Sequence, residues 1–128
     1  MILDSSAILA ILQNESDAAA HVRAIEKADR CRISSATYVE VATIADARAI
    51  AKEFDALIKK ARVIIEPLTE DQARIAREAY REYGKGNHAA RLNLGDCFAY
   101  ALSKDLDEPL LFKGEDFAQT DVEPALAV

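Results

Sequence analysis

Short apolar runs alternate with longer amphipathic stretches along this chain of 128 residues. Met1-Ile2-Leu3-Asp4 is an apolar run ending on an acid. It predicts a buried strand over 1–4, followed by a short helix over 5–13. Residues 16–28, with Ala20, Ile25 and Ala28 among their apolar positions, predict a second helix. Arg30-Cys31-Arg32-Ile33-Ser34 predicts a second short strand. A long helical stretch covers 36–60, with a break between Arg48 and Lys52. Arg62-Val63-Ile64-Ile65-Glu66-Pro67 has the clearest strand character, β-branched and stopped by proline. Residues 69–83 predict a helix opened by a Thr69-Glu70-Asp71-Gln72 capping box, with Ala73, Ala76, Tyr80 and Tyr83 as its apolar stripe. Residues 84–94 predict a loop with Gly84 and Gly86, and 96–106 a helix. Leu110-Leu111-Phe112 predicts a fourth strand, and the tail a weak fifth strand near Val122.

Strands separated by helices predict right-handed βαβ units and a parallel sheet covered on both faces, an α/β fold. Parallel strands bring their carboxyl ends to one edge, and in open α/β sheets ligands bind at that edge. The length suits one domain over 1–128, and no repeat or low-complexity tract divides it. Apolar residues make up 51% and charged residues 30%, the balance of a globular rather than a disordered chain. No run approaches the roughly 20 apolar residues that cross a bilayer. No basic segment precedes a long apolar one, so no signal peptide is expected. Cys31 and Cys97 are too few for a disulfide framework and predict buried reduced thiols in a cytoplasm. The net charge of −6 argues against binding nucleic acid through overall charge. It leaves room for a nucleic-acid substrate if bases cluster locally and a divalent cation neutralises the acids.

Four acids fall at or near strand ends. Asp4 follows the first strand. Glu40 lies early in the helix after the second. Asp96 opens the helix after the glycine loop, and Asp116 follows the fourth strand. Carboxylates gathered in this way repel and take up protons unless a cation sits between them. An all-oxygen site suits Mg²⁺ or Mn²⁺. Such an ion polarises a phosphoryl oxygen and lowers the pKa of water, the chemistry of phosphodiester hydrolysis. Each acid also has a purely structural reading. Glu40 completes a capping box with Thr37, Asp96 and Asp116 suit N-caps or first helical turns, and Asp4 suits a polar strand end. On a helical wheel Glu40 falls between Ile44 and Ala47, off a freely solvated face.

The contexts of these acids resemble a family. Ile2-Leu3-Asp4-Ser5-Ser6-Ala7 resembles the opening of PIN-domain nucleases, and Tyr38-Val39-Glu40-Val41 their second acidic position. Leu92-Asn93-Leu94-Gly95-Asp96-Cys97-Phe98-Ala99-Tyr100-Ala101 resembles the third acidic motif of VapC-type toxins of bacterial toxin–antitoxin pairs. Leu110-Leu111-Phe112-Lys113-Gly114-Glu115-Asp116-Phe117 closes the same pattern. The resemblance spans nearly the whole chain. It implies a PIN-like three-layer α/β/α fold with a central parallel sheet of four to five short strands. It also implies a Mg²⁺-dependent endoribonuclease toxin that cuts RNA, often transfer RNA, with water activated at the metal. Asp4 and Asp96 would be direct ligands of Mg²⁺ (or Mn²⁺). Glu40 and Asp116 would complete the acidic pocket, and Ser6 would orient Asp4 or a metal-held water. A VapB-type antitoxin, its C-terminal tail covering the pocket, and a homodimer belong to the same implication. Lys113 departs from the pattern. Many relatives carry threonine or serine there, so a hydroxyl is exchanged for a cation near the scissile phosphate.

Basic residues recur at Arg74, Arg77, Arg81, Lys85, His88 and Arg91. The first three align on one helix face, interleaved with Glu78 and Glu82, which also describes a solvated face. Lys85, His88 and Arg91 lie in the loop beside Asp96 and read as contacts to an RNA backbone. His21 and His88 have no partners at zinc-ligand spacing. Gly84-Lys85-Gly86 lacks the rest of a phosphate-binding loop. A phospho-acceptor receiver domain would need an acidic pair at the first strand and an aspartate ending the third, where Ser5-Ser6 and Glu66-Pro67 stand. A dehalogenase-type phosphatase would need an aspartate at Ser6. A non-catalytic PIN-like binding module is disfavoured because all four acids are retained.

Overall fold

The computed structural model describes residues 1–127. Strands β1 (Ile2–Leu3), β2 (Arg32–Ser34), β3 (Ile64–Glu66) and β4 (Leu110–Leu111) form one parallel sheet in the order β3-β2-β1-β4. Six helices connect them: α1 (Ser5–Leu12), α2 (Ala18–Lys27), α3 (Ser35–Ala47), α4 (Ala51–Lys60), α5 (Glu70–Tyr83) and α6 (Leu94–Leu106). The strands are short but central. Ile2, Leu3, Ile33, Leu110 and Leu111 have no exposed surface. Each such side chain contributes about 1.5–3 kcal/mol by leaving water.

Alternation along the strands builds two cores. Ile2 and Leu110 join α5, α6 and the tail residues Phe117 and Val122 on one face. Leu3, Ile33 and Leu111 join Ala7 and Ile8 of α1, Val41 and Ala45 of α3, and Phe54 of α4 on the other. The pairing of Ile2 with Leu110 and Leu3 with Leu111 keeps like faces together, because a one-residue slip would invert both. The result is the expected three-layer α/β/α arrangement. The chain builds outward from β1 to β2 to β3, then returns to the far side of β1 for β4. The direction of winding therefore reverses between β1 and β4, and a crevice opens outside their carboxyl ends.

The 36–60 stretch divides into two helices at the break expected between Arg48 and Lys52, and that break has a definite form. Ala49 takes φ +59, and the Ile50 N–H bonds back to the Ala45 carbonyl at 2.9 Å, a Schellman closure of α3. The strand of strongest sequence character, β3, is the sheet edge, with Ile64 and Ile65 partly exposed. No fifth strand forms among the described residues. The tail makes one parallel bridge, Leu110 to Pro124, in which the Leu110 N–H donates to the Glu123 carbonyl and the Ala125 N–H to the Leu110 carbonyl, both at 2.9 Å. Thr69 caps α5 by accepting from the Gln72 N–H at 3.2 Å. The Gln72 side chain does not close the box; it turns inward and donates to Asp105 at 3.2 Å. The buried stripe of α5 is Gln72, Ala76, Ala79 and Tyr83, whereas Ala73 and Tyr80 face solvent. Small residues on that stripe let α5 pack closely on α6. Cys31 and Cys97 are free, buried thiols. Among the described residues no helix is long and apolar enough to cross a membrane.

The α3 closure gives a stability prediction. A left-handed residue with a Cβ costs about 1–2 kcal/mol, against about 0.5–1 kcal/mol of extra unfolded-state freedom for glycine. Ala49→Gly should leave stability unchanged or raise it by up to about 1 kcal/mol in urea unfolding, and Ala49→Val should lower it. Destabilisation by glycine would contradict the left-handed assignment.

Candidate active site

Asp4 ends β1 and caps α1 at once. Its backbone is extended (φ −86, ψ 156), and its Oδ2 accepts from the Ser6 N–H at 3.0 Å and the Ser6 hydroxyl at 2.6 Å. Its Oδ1 is buried with no hydrogen-bond partner. A cap needs only one oxygen. Leaving the second buried and unmet costs about 1–3 kcal/mol, so capping alone does not explain the residue.

Glu40 is not a capping residue. Ser34 caps α3, accepting from the Ala36 N–H at 3.3 Å, and Thr37 is buried inside the helix. The Glu40 side chain is instead aimed across at α6. A Cβ built on Gly95 would lie 2.4 Å from Glu40 Oε2. Glycine is therefore what allows the first turn of α6 to meet the Glu40 carboxylate. The other oxygen, Oε1, is buried without a partner.

Asp96 is the third residue of α6 and does form a capping box with Asn93. The Asn93 N–H donates to Asp96 Oδ2 and the Asp96 N–H to Asn93 Oδ1, both at 2.9 Å. Its structural reading thus holds for one oxygen, while Oδ1 takes no part in the box. Asp116 is exposed and precedes a 3₁₀ turn (Phe117–Gln119) without capping it.

Electrostatics ties the four acids together. Burial pushes the Asp4 carboxyl up to about 7; Ser6 pulls it partly back, and the charges of Asp96 and Glu40 add to the rise. Burial likewise lifts Asp96 to about 6, with Asp116 and Glu40 adding. Burial raises Glu40 too, against a lowering pull from Ser5. The fold therefore gathers acids from β1, α3, α6 and the loop after β4 at one sheet edge.

Their chemistry fits a hard divalent cation. The donors are oxygens only, and two of them are buried and unmet. Among the described residues no three His, Cys, Asp or Glu side chains form a ready-made metal cage. Mg²⁺ does not need one, since it keeps several waters and takes one or two carboxylates.

The basic candidates divide. Arg74 pairs with Glu70 at 3.4 Å and Arg81 with Glu78 at 2.7 Å, so this face of α5 is a solvated, salt-bridged one. Lys85, His88 and Arg91 are exposed on the loop before α6. That loop is shaped: His88 Nδ1 accepts from the Ala90 N–H at 2.9 Å, and its ring meets Tyr83 edge-on. Lys113 donates its backbone N–H to Ser6, but its ammonium is paired with Glu15 and Asp17 rather than free. Three contributors carried no role in the sequence reading: Gly95, Asn93 and Ser5. The Asn93-x-x-Asp96 spacing could have signalled the box; Gly95 could not be read without α3 opposite it. Sizeable hollows lie elsewhere, one of about 690 Å³ between α2 and α4 and one of about 780 Å³ near Met1 and Glu108.

The model of the PIN domain matches residues 1–123. The chain belongs to the PIN-domain family. Within that family it is similar to Ribonuclease VapC28 of Mycobacterium tuberculosis, 49% identical over 130 residues with 98% of each chain covered. Two solved structures share its fold. A toxin–antitoxin complex from Klebsiella pneumoniae superposes with a TM-score of 0.75 at 17% identity, covering 99% of this chain and 98% of that one. Mycobacterium tuberculosis VapC20, described as a Sarcin-Ricin loop cleaving toxin, gives 0.75 at 15% identity over 94% and 95%.

The raised acids set a pH dependence for the metal-free PIN domain. The folded state keeps protons on Asp4 and Asp96 that the unfolded chain releases near pH 4. Stability must then fall as pH rises from about 4 to about 7 and level off above. The lowered acids Asp17, Glu108 and Asp121 slope the other way, but below their unfolded values. Urea unfolding in EDTA should show lower stability at pH 8 than at pH 5, and Asp4→Asn should flatten that difference. A rise in stability over that range would contradict the buried, crowded carboxyls.

Proposed function

We propose that this PIN domain is a Mg²⁺-dependent endoribonuclease toxin acting on structured RNA, with transfer RNA the first candidate, and held in check by a VapB-type antitoxin. Its kinship with VapC ribonucleases supports the ribonuclease class. The observation that carries the finer reading is the pair of buried, unpartnered oxygens, Asp4 Oδ1 and Glu40 Oε1, among four converging acids.

Asp4 and Asp96 would hold the cation, with Glu40 and Asp116 completing its surroundings directly or through water. A bound Mg²⁺ supplies positive charge for a phosphoryl oxygen and lowers the pKa of water. Ser6 fixes the rotamer of Asp4. Gly95 lets Glu40 and Asp96 share one space, and Asn93 locks the orientation of Asp96. Lys85, His88 and Arg91 would meet phosphates approaching along the loop into α6, offsetting the repulsion of a chain with net charge −6. An open edge suits a polymer better than an enclosed cavity does. Likeness to a toxin–antitoxin complex and to VapC proteins supports an antitoxin partner, and self-association as a homodimer is part of the same proposal.

Purified protein should cut transfer RNA with Mg²⁺ and not with EDTA, and Asp4→Asn or Asp96→Asn should lower kcat at least about hundredfold without loss of fold. Cutting that survives both EDTA and the substitutions would end the assignment. The triple variant Lys85→Glu, His88→Glu and Arg91→Glu should raise KM, leave metal binding intact, and shallow the salt dependence of RNA binding by roughly 0.7 in log–log slope per lost contact. An unchanged KM and slope would remove the loop from the RNA path.

A further inference from the structure

One residue ties down the loop leaving β4 at two points. The Lys113 backbone N–H donates to Ser6 Oγ at 2.9 Å, and the Ser6 hydroxyl donates to Asp4 Oδ2 at 2.6 Å. With Asp4 ionised, the direction of this relay is forced. An amide can only donate, so the hydroxyl accepts from it and gives its own proton to the carboxylate. The Ser6 N–H adds a second donor to the same oxygen at 3.0 Å. Asp4 Oδ2 is thus engaged twice, while Oδ1 stays buried and unpartnered.

At its other end Lys113 lies between two acids of the α1–α2 turn. Its ammonium pairs with Glu15 and, at 3.3 Å, with Asp17. Asp17 also faces His21 Nε2 at 3.3 Å. Directly after Lys113 the chain turns at Gly114, φ +97, and Asp116 follows within electrostatic reach of Asp96.

We propose that Lys113 is a positioning residue of the acidic site: the Glu15–Lys113–Asp17 clamp holds the loop where the Lys113 amide orients Ser6, and through it leaves Asp4 Oδ1 free to face a cation. This rests on the reading of the acids as a cation site. It also takes the ammonium out of competition as a free phosphate ligand, since two carboxylates already neutralise it. The three side chains are 35–37% exposed, so the clamp adds little to global stability. Its effect is on geometry, where a displacement of about 1 Å can cost roughly hundredfold in rate.

The test uses the full chain and Mn²⁺ as the probe. Mn²⁺ affinity is measured by calorimetry, and amide hydrogen exchange is followed at residues 113–116. The variants are Lys113→Ala, Lys113→Arg, the double variant Glu15→Gln with Asp17→Asn, and the triple combination. Lys113→Ala and the double variant should each weaken Mn²⁺ binding about tenfold, as loss of an orienting outer partner does. Both should speed exchange of the Lys113 amide. Lys113→Arg should restore both properties, and the triple variant should be no worse than either parent. On RNA the loss should fall on kcat with KM unchanged. Wild-type affinity and protection in Lys113→Ala, or a rise in KM alone, would overturn the clamp. Absence of Mn²⁺ binding in the wild type would instead overturn the cation-site reading, and the exchange rates would still decide whether the clamp holds the amide.

Discussion

A carboxylate buried at the junction of β1 and α1 is the constraint on which the rest of this structure turns. Asp4 has to end a strand that is wholly inside, start a helix, and stay away from bulk water. Two donors from Ser6 satisfy one oxygen and nothing satisfies the other. Burial and two further acids disfavour its charge. Without a counter-ion the site is uncomfortable at neutral pH, and protonation relieves it. A divalent cation relieves it better, because it answers all the acids at once.

The fold serves that junction economically. Four strands of two or three residues suffice, because β1 and β4 each contribute fully buried side chains to both cores and β2 adds Ile33 to one of them. Their order sets the reversal of winding between β1 and β4, so Asp4 and the loop to Asp116 face one crevice. Helix α3 supplies Glu40 from one layer and α6 supplies Asp96 from the other. They can meet only because position 95 has no side chain. The acids thus come from elements far apart in sequence, and Asp4 and Asp96 are each held by bonds local to their own helix start.

Much of this was legible in the chain. Asp4 stood at the end of an apolar run, and the order of strand and helix patterns implied a parallel sheet with one functional edge. What escaped depended on neighbours. Glu40 looked like a capping partner of Thr37 until Ser34 proved to be the cap, one residue inside β2. The β-branched run at 62–67 has the clearest strand character, yet its place at the sheet edge was not legible, since strand order is a property of the whole sheet. Gly95 carries no chemistry of its own; its meaning comes from a helix more than fifty residues away in sequence. Lys113 read as a cation for phosphate, because its partners Glu15 and Asp17 lie in a turn that only folding brings near.

The central claim is that these acids form a site for a divalent cation in the folded chain. Thermal unfolding titrated with Mg²⁺ at pH 8 tests it directly, because an ion that binds only the folded state raises the midpoint by mass action. The account predicts a midpoint that climbs with Mg²⁺ in the wild type, starts higher in Asp4→Asn without metal, and responds far less there. A wild-type midpoint indifferent to Mg²⁺, or an Asp4→Asn variant that responds equally, would contradict it.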